Sequence, residues 1–417
     1  MAKQDQKRYI VTYAEEHVSR SEAAKVLDTS ASNLQDAMTV LASDAPEDES
    51  DCLHFESLGA TALPLSEKEV AKLEKDDRVV QVVEDIKVFV FHTEHDQYLA
   101  GYRQAMRDIM GRGAGRGLQH EEHSCCCCHC QPCDPPDQPP VPPVPPEPAQ
   151  PIPWNISQVK ADQVWSRVTG LGVKVAIIDT GIDDDHPDLT VSGGASFVPG
   201  VGSWDDDQGH GTHVAGIVGA RNNPIGVVGV APDASLYAVK VLAGDGSGQL
   251  SWILAGMEWA RDNGAQVANM SLGSNVITPN AACIVAYQRA AEALAEAGCI
   301  VVAAAGNNGR AFNEWVGQPA RCPGFMAVAA LDRDQALADF SSRGPADLCP
   351  TCGVEISAPG VNINSTWPGG GYRELSGTSM ACPHVSGAAA LIVEQHPTWE
   401  PARIRDRLKS SASDLGA

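Results

Sequence analysis

The stretch SGTSMACPHVSG, residues 376–387, sets three serines, a threonine and a histidine just ahead of an Ala-rich run, AAALIVEQH. That run reads as a buried helix. Ser376, Thr378 or Ser379 at its start has two readings: a cap for the helix, or a nucleophile beside backbone N–H groups able to hold an oxyanion. His384 lies five residues beyond Ser379, partly round the helix, so a direct bond between them is not expected. Any base for a working serine must come from elsewhere in the chain.

Working outward, residues from about Trp154 alternate short apolar runs with helical segments. VKVAIID, LYAVKVL, QVANMSL, CIVVAAAG and FMAVAAL have the composition of strands buried on both faces, and WILAGMEWARDNG and ACIVAYQRAAEALAEAG read as helices between them. In open parallel sheets, sites gather at the carboxyl ends of strands. There the sequence puts Asp179 with Thr180-Gly181, Asn307, and the pair Ser271 and Gly273. GHGTHVAG adds His210 and His213; no Cys or carboxylate nearby completes a zinc pattern, so one working histidine, His210, with His213 structural, is expected. An α/β-hydrolase needs the order serine, acid, histidine, and no aspartate separates Ser379 from His384 or His396.

DTGIDDDHPDL, HGTHVAG, AAAGNNG and SGTSMACPHVSG, in this order, resemble the signature segments of the subtilisin-like serine proteases, a likeness running almost continuously over residues 150–417. The resemblance implies an α/β fold with a mostly parallel sheet and helices on both faces. It also implies a serine endopeptidase in which Ser379 attacks the scissile carbonyl, His210 takes its proton, Asp179 orients the imidazole and Asn307 donates to the oxyanion. Substrate would be clasped between strands at Gly246 and Gly248 and at Ser271, Leu272 and Gly273. A P1 pocket of Ser271 to Gly273, Ala304 to Gly306 and Gly317, with Asn308 at its rim, implies broad specificity with a preference for large uncharged P1 residues. Calcium is implied at Gln150, Asp188 and Asn223 with the carbonyls of Arg221, Ile225 and Val227, an all-oxygen set; no organic cofactor is expected. The acidic runs Asp183 to Asp185 and Asp205 to Asp207 read as solvated loops.

Residues 8 to 91 form a smaller unit. RYIVTY reads as a strand, SEAAKVLDTSASNLQDAMTVLA as a helix, HFESLGATALPL as extended, SEKEVAKLEKDD as a helix opening on Ser66, and RVVQVVEDIKVFVF as one strand. The order is that of a small α+β, ferredoxin-like unit, and it resembles the inhibitor prodomain of the same family, implying a self-inhibited zymogen. Expected boundaries are 1–92 for this prodomain, 93–153 for a Gly/Cys/Pro-rich linker and 154–417 for the peptidase domain. The proline run PPDQPPVPPVPPEPAQPIP favours an extended spacer. CCCCHCQPC, Cys125 to Cys133, is no disulfide framework; it is either a soft-metal site or an oxidation-prone linker segment.

A net charge of −23 repels phosphate backbones, so nucleic acid is not an expected partner; protein and peptide substrates and the chain's own prodomain are, with the enzyme a monomer. The first residues carry no signal-peptide core and no run is long enough to span a membrane. The missing signal favours a cytoplasmic place or non-classical export, family habit favours secretion, and the sequence leaves the choice open. Of the remaining cysteines, the CPTC loop at 349–352 is the best candidate for a local bridge. Two other readings stay open: a catalytically silent strand-capturing protein, and a metal-handling protein built around the cysteine cluster.

Overall fold

A computed structural model describes residues 7–43, 52–90, 150–274, 282–309, 315–344 and 353–415. The cysteine cluster, the proline run and the CPTC loop lie outside the described residues, as does the question of a bridge or metal there.

The larger unit is a seven-stranded sheet. β7 (Lys174–Asp179), β8 (Val191–Ser196), β9 (Ser235–Lys240), β11 (Val267–Met270), β13 (Ile300–Ala304), β14 (Met326–Leu331) and β15 (Ile356–Pro359) lie in the order β15-β14-β13-β11-β7-β9-β8. Every pairing is parallel. Because side chains alternate along a strand, β7 splits its residues between two cores. Val175 and Ile177 pack with α5 (His210–Gly219) and α8 (Thr378–Gln395), whereas Ala176 and Ile178 pack with α6 (Leu250–Asp262) and α7 (Val285–Glu296). Strands buried on both faces explain the near-continuous apolar runs of the sequence.

The N-terminal unit is a separate α+β sheet. β1 (Lys7–Tyr13), β2 (Leu34–Asp36), β3 (Cys52–Phe55), β4 (Ala60–Leu65) and β5 (Val79–Glu84) lie in the order β2-β3-β4-β1-β5, with α1 (Arg20–Leu27) and α3 (Glu67–Leu73) against one face. Ser19 and Ser66 open these helices with capping boxes. The other face, with Ile10, Leu53, Phe55 and Ala62, joins the core formed by α6 and α7.

Two expectations about this unit need correction. Residues 21–42 are not one helix: α1 ends at Asp28 in the left-handed region at φ 57°, and α2 (Ala37–Leu41) starts afresh with Asp36 accepting from the Thr39 N–H. Ser, Thr and Asp side chains that bond to nearby backbone compete with helix continuation, and here they win. Likewise RVVQVVEDIKVFVF is two strands in two sheets. After β5, the Asp85 carboxylate leaves the N-terminal sheet to accept from the backbone and hydroxyl of Ser251 in α6, at 2.9 and 2.7 Å. β6 (Lys87–Val90) then runs antiparallel between β10 (Ser247–Gln249) and β12 (Leu272–Gly273).

Candidate active site

Three chain segments bring polar groups to the carboxyl edge of the large sheet. β7 ends on Asp179, two residues on from Ile177 and therefore on the face covered by α5 and α8. On that face α5 opens with His210, and α8 carries Ser379 as its second residue. All three side chains are fully buried. His210 Nδ1 lies 2.7 Å from Asp179 Oδ1, which also accepts from the Thr180 N–H at 2.8 Å. A carboxylate can only accept, so Nδ1 carries the ring proton and Nε2 is the basic nitrogen of the neutral imidazole. The Ser379 hydroxyl donates to the Ser271 carbonyl at 2.8 Å.

Asn307 follows β13 and faces the same helix start. Its Oδ1 accepts from the backbone N–H and the hydroxyl of Thr378, both at 2.9 Å, and Thr378 Oγ1 accepts from Gly306 N at 3.1 Å. Those bonds fix the amide plane with its oxygen on Thr378 and so its NH₂ end directed the other way. At the second position of α8, the Ser379 N–H has no acceptor within the helix. His384 and His213 are structural, as expected. His384 Nδ1 donates to Met380 O at 2.8 Å and Nε2 meets Asn155 Nδ2 at 2.8 Å, while His213 Nε2 faces the carbonyls of Ile363 and Arg373.

The run Asp205 to Asp207 is not a plain solvated loop. Asp206 is 6 % exposed and accepts from Thr180 Oγ1, the backbone N–H groups of Gln208, Gly209 and Thr212, and Thr212 Oγ1. It ties the segment after Asp179 to the segment before His210. Lys240 adds a second tie: its buried ammonium donates to Thr180 O at 2.5 Å and to Asp207 Oδ1 at 2.6 Å. The sequence did hold a signal, since an Asp just before a helix start satisfies orphan N–H groups there.

The residues expected to clasp substrate flank β6. Val90 N donates to Gly246 O at 3.2 Å, Gly248 pairs with Val88, Leu272 with Val90 and Gly273 with Phe89. Gly248 has no room for a side chain, because a Cβ there would sit 2.3 Å from Val241 O. Val88 is fully buried in the core that includes Leu242, Leu250, Ile253 and Leu272. On the other wall, Ala304 ends β13, Gly306 takes φ 110°, and Gly317 N donates to Ala305 O at 3.0 Å. Ser271 to Gly273 and Ala304 to Gly306 are all buried at the ends of neighbouring strands β11 and β13, with Ser379 tied to Ser271.

The residues expected to hold a cation also come together. Asp188 is buried, its carboxylate accepting from Asn223 Nδ2 at 2.8 Å, Val227 N at 3.0 Å and the Tyr372 hydroxyl at 3.2 Å. Gln150 Nε2 donates to Ile225 O, Gln150 Oε1 accepts from Asn223 N, and Arg221 N donates to Asp188 O. Burial pushes the Asp188 carboxyl up from its ordinary value, with the hydrogen bonds opposing it. Among the described residues there is no cluster of three or more His, Cys, Asp or Glu side chains arranged for a metal, so any ion here would rest on amide and carbonyl oxygens around one carboxylate. None of the described helices is long and apolar enough to cross a membrane.

Known proteins bear on this geometry. The subtilase family model matches residues 170–417. Subtilisin BL of Lederbergia lenta is 50 % identical over 267 residues, covering 64 % of this chain and 93 % of the relative. Subtilisin E of Bacillus subtilis strain 168 is 51 % identical over 268 residues, covering 64 % of this chain and 67 % of the relative. With its parallel sheet, its buried Asp–His pair and a serine at a helix start, the chain belongs to the subtilase family: it is a subtilisin-like serine protease preceded by a prodomain-like unit.

Proposed function

We propose that the chain is an endopeptidase made as a self-inhibited zymogen, with Asp179, His210, Ser379 and Asn307 as its machinery. The observation that carries this is the short bond between His210 Nδ1 and Asp179 Oδ1, both fully buried, on the sheet face whose second helix carries Ser379 at its start. In the reaction, the Ser379 hydroxyl turns from the Ser271 carbonyl to His210 Nε2, gives up its proton there and attacks the peptide carbonyl carbon. Asp179 stabilises the imidazolium that forms, and the Asn307 amide and Ser379 N–H hold the oxyanion. His210 passes the proton to the leaving amine; water then repeats the sequence in reverse roles and frees the acid. A P1 pocket between Ser271 to Gly273 and Ala304 to Gly306, lined by small uncharged residues, would suit large uncharged P1 side chains.

Self-inhibition is supported by β6, which fills the space between β10 and β12 by strand addition as an extended substrate would. The prodomain-like unit also reaches the start of α6 through Asp85 and that of α7 through Gln81, whose Oε1 accepts from Val285 N at 2.8 Å. A parallel sheet of long-range contacts folds slowly, and a template that caps two of its helices lowers that cost.

The residue types around Asp188 suit calcium. With the Asn223 and Gln150 amides turned from the hydrogen bonds they make here, their oxygens, the Asp188 carboxylate and the carbonyls of Arg221, Ile225 and Val227 would supply a hard-oxygen donor set. The ion would neutralise Asp188 and tie the residues before α4 (Trp154–Gln158) to the loop after α5.

Intact mass followed over time, with calcium or with a chelator, tests this reading. The wild-type chain is expected to lose its N-terminal portion by cleavage between about residues 92 and 153, the Ser379→Ala chain to stay whole, and chelation to shorten the life of the processed enzyme. A wild-type chain that stays whole and leaves casein undigested would contradict it.

A further inference from the structure

Cys283 and Cys322, 39 residues apart, form a disulfide at the turn that begins at Gly317, a residue assigned above to the P1 pocket. Cys283 stands two residues before α7, and Cys322 closes the turn that begins at Gly317. That turn is tied on every side. Gly317 N donates to Ala305 O, Arg321 N to Gly317 O and Cys322 N to Pro319 O, at 3.0, 2.9 and 2.9 Å. Gln318 O accepts from Ser274 N at 3.1 Å, and Gln318 Nε2 donates to Ala282 O at 2.8 Å. Ser274 directly follows β12, so the turn joins the substrate-clasping strand on one side to the Ala304–Gly306 wall on the other. The hydrogen bonds at this junction are individually modest. The disulfide is the one covalent link there among the described residues.

The bond is also placed to be reached. Cys322 is 1 % exposed, but Cys283 is only half-buried, so a reductant meets the Cys283 sulfur first. The prodomain-like unit sits on the same spot, with Gln81 Nε2 at 3.5 Å from Cys283 O.

We propose that the Cys283–Cys322 disulfide is a specificity determinant of the P1 pocket, and that its reduction by a small dithiol relaxes the selection of large P1 residues. The proposal rests on the endopeptidase reading and on the pocket assigned above. In the chemical step, a reductant thiolate attacks the Cys283 sulfur, the S–S bond breaks, and Cys322 leaves with the electron pair and takes up a proton. The reductant's second thiolate then attacks the mixed disulfide, Cys283 leaves and is protonated, and the reductant ends as its own cyclic disulfide. The protein gains two electrons and two protons. Open, the Gly317–Cys322 turn keeps its hydrogen bonds but loses its fixed spacing from the start of α7; Asp179, His210 and Ser379 are on other segments and stay in place.

The test uses the processed enzyme and two peptides differing only in P1, Phe against Ala, with and without dithiothreitol, beside the Cys283→Ser/Cys322→Ser double variant. Circular dichroism checks that each form remains folded. Reduction of the wild type is expected to raise KM for the Phe peptide on the order of ten-fold, the scale of a mis-fitted apolar pocket, with kcat and the Ala peptide nearly unchanged. The double variant should show the reduced behaviour already and not respond to dithiothreitol. An unchanged Phe-to-Ala ratio, or an equal loss of kcat on both peptides, would overturn the proposal while leaving the endopeptidase reading intact. Failure of the oxidised wild type to cut either peptide would remove that reading and the proposal with it.

Discussion

At the scale of single residues, two side chains make separate statements about chemistry and stability. Asn307 is held by its oxygen, which leaves its NH₂ group for the oxyanion role proposed above. Asn307→Leu is expected to lower kcat by roughly 10²–10³ with KM little changed, the magnitude that loss of the equivalent oxyanion donor has in subtilisin itself. Steady-state kinetics on a peptide substrate check it; an equal effect on KM alone would assign Asn307 to binding. His384 makes a statement about acid. Burial lowers its pKa to about 4 from 6.5, with the Nδ1 bond to Met380 O opposing the shift; Nε2 accepts from Asn155. A charged ring would turn a second N–H against the Asn155 amide donor. The stability this neutral ring contributes is full above pH 6.5 and is lost as pH falls towards 4, at about 1.4 kcal/mol per pH unit for one proton. Urea midpoints of Ser379→Ala chains between pH 7 and pH 4.5, with and without His384→Gln, are expected to show a steeper acid loss with the histidine present. Parallel curves would assign the acid lability elsewhere.

At the scale of elements, the docking of the prodomain-like unit onto α6 contains its own titration. Glu258 of α6 is 5 % exposed beneath that unit and accepts from the Ser57 hydroxyl. Burial raises its pKa from 4.5 to about 7; the Ser57 hydrogen bond and Arg261 oppose the shift, while Asp262 and, from the prodomain side, Asp36 add to it. On α6 freed of its cover, Glu258 returns towards its ordinary value. The docked state therefore holds a proton the free state lacks, and docking is strongest below pH 4.5 and weakens as pH rises to 7, by about ten-fold per unit within that window. The appearance of protease activity after processing is expected to quicken from pH 5 to pH 7 and then level off, whereas Glu258→Gln should activate slowly at every pH. Equal pH profiles would show that Glu258 does not govern release. The same contacts show what the sequence could and could not disclose. Strands β7, β9, β11, β13 and β14 were legible as apolar runs because burial on both faces is a local, compositional signature. The break between β5 and β6 was not, since it depends on Asp85 finding Ser251, 166 residues away. The single helix expected over residues 21–42 failed for a local reason instead, the competition of Ser, Thr and Asp side chains for the backbone.

At the scale of the whole molecule, catalysis depends on segments that the chain separates and the sheet unites. The Asp179, His210, Ser379 order was readable through the resemblance of the segments that carry it to the subtilisin-like signatures; strand ends and helix starts alone marked each residue only as a candidate. Asp206 and Lys240, which brace the segments carrying Asp179 and His210, were harder to see, because a buried carboxylate and a solvated one look alike in sequence. The Cys283–Cys322 bridge was equally hidden, as its partners meet only when β12 and the Gly317 turn have packed. All of this serves one claim, that His210, set by Asp179, makes the Ser379 oxygen nucleophilic. Mass-spectrometric mapping after treatment of the processed enzyme with a sulfonyl fluoride tests it most directly. A single adduct on Ser379, absent from Ser379→Ala and greatly slowed in a His210→Ala chain, is the expected result. An adduct on another residue, or labelling of Ser379 at the same rate without His210, would contradict it.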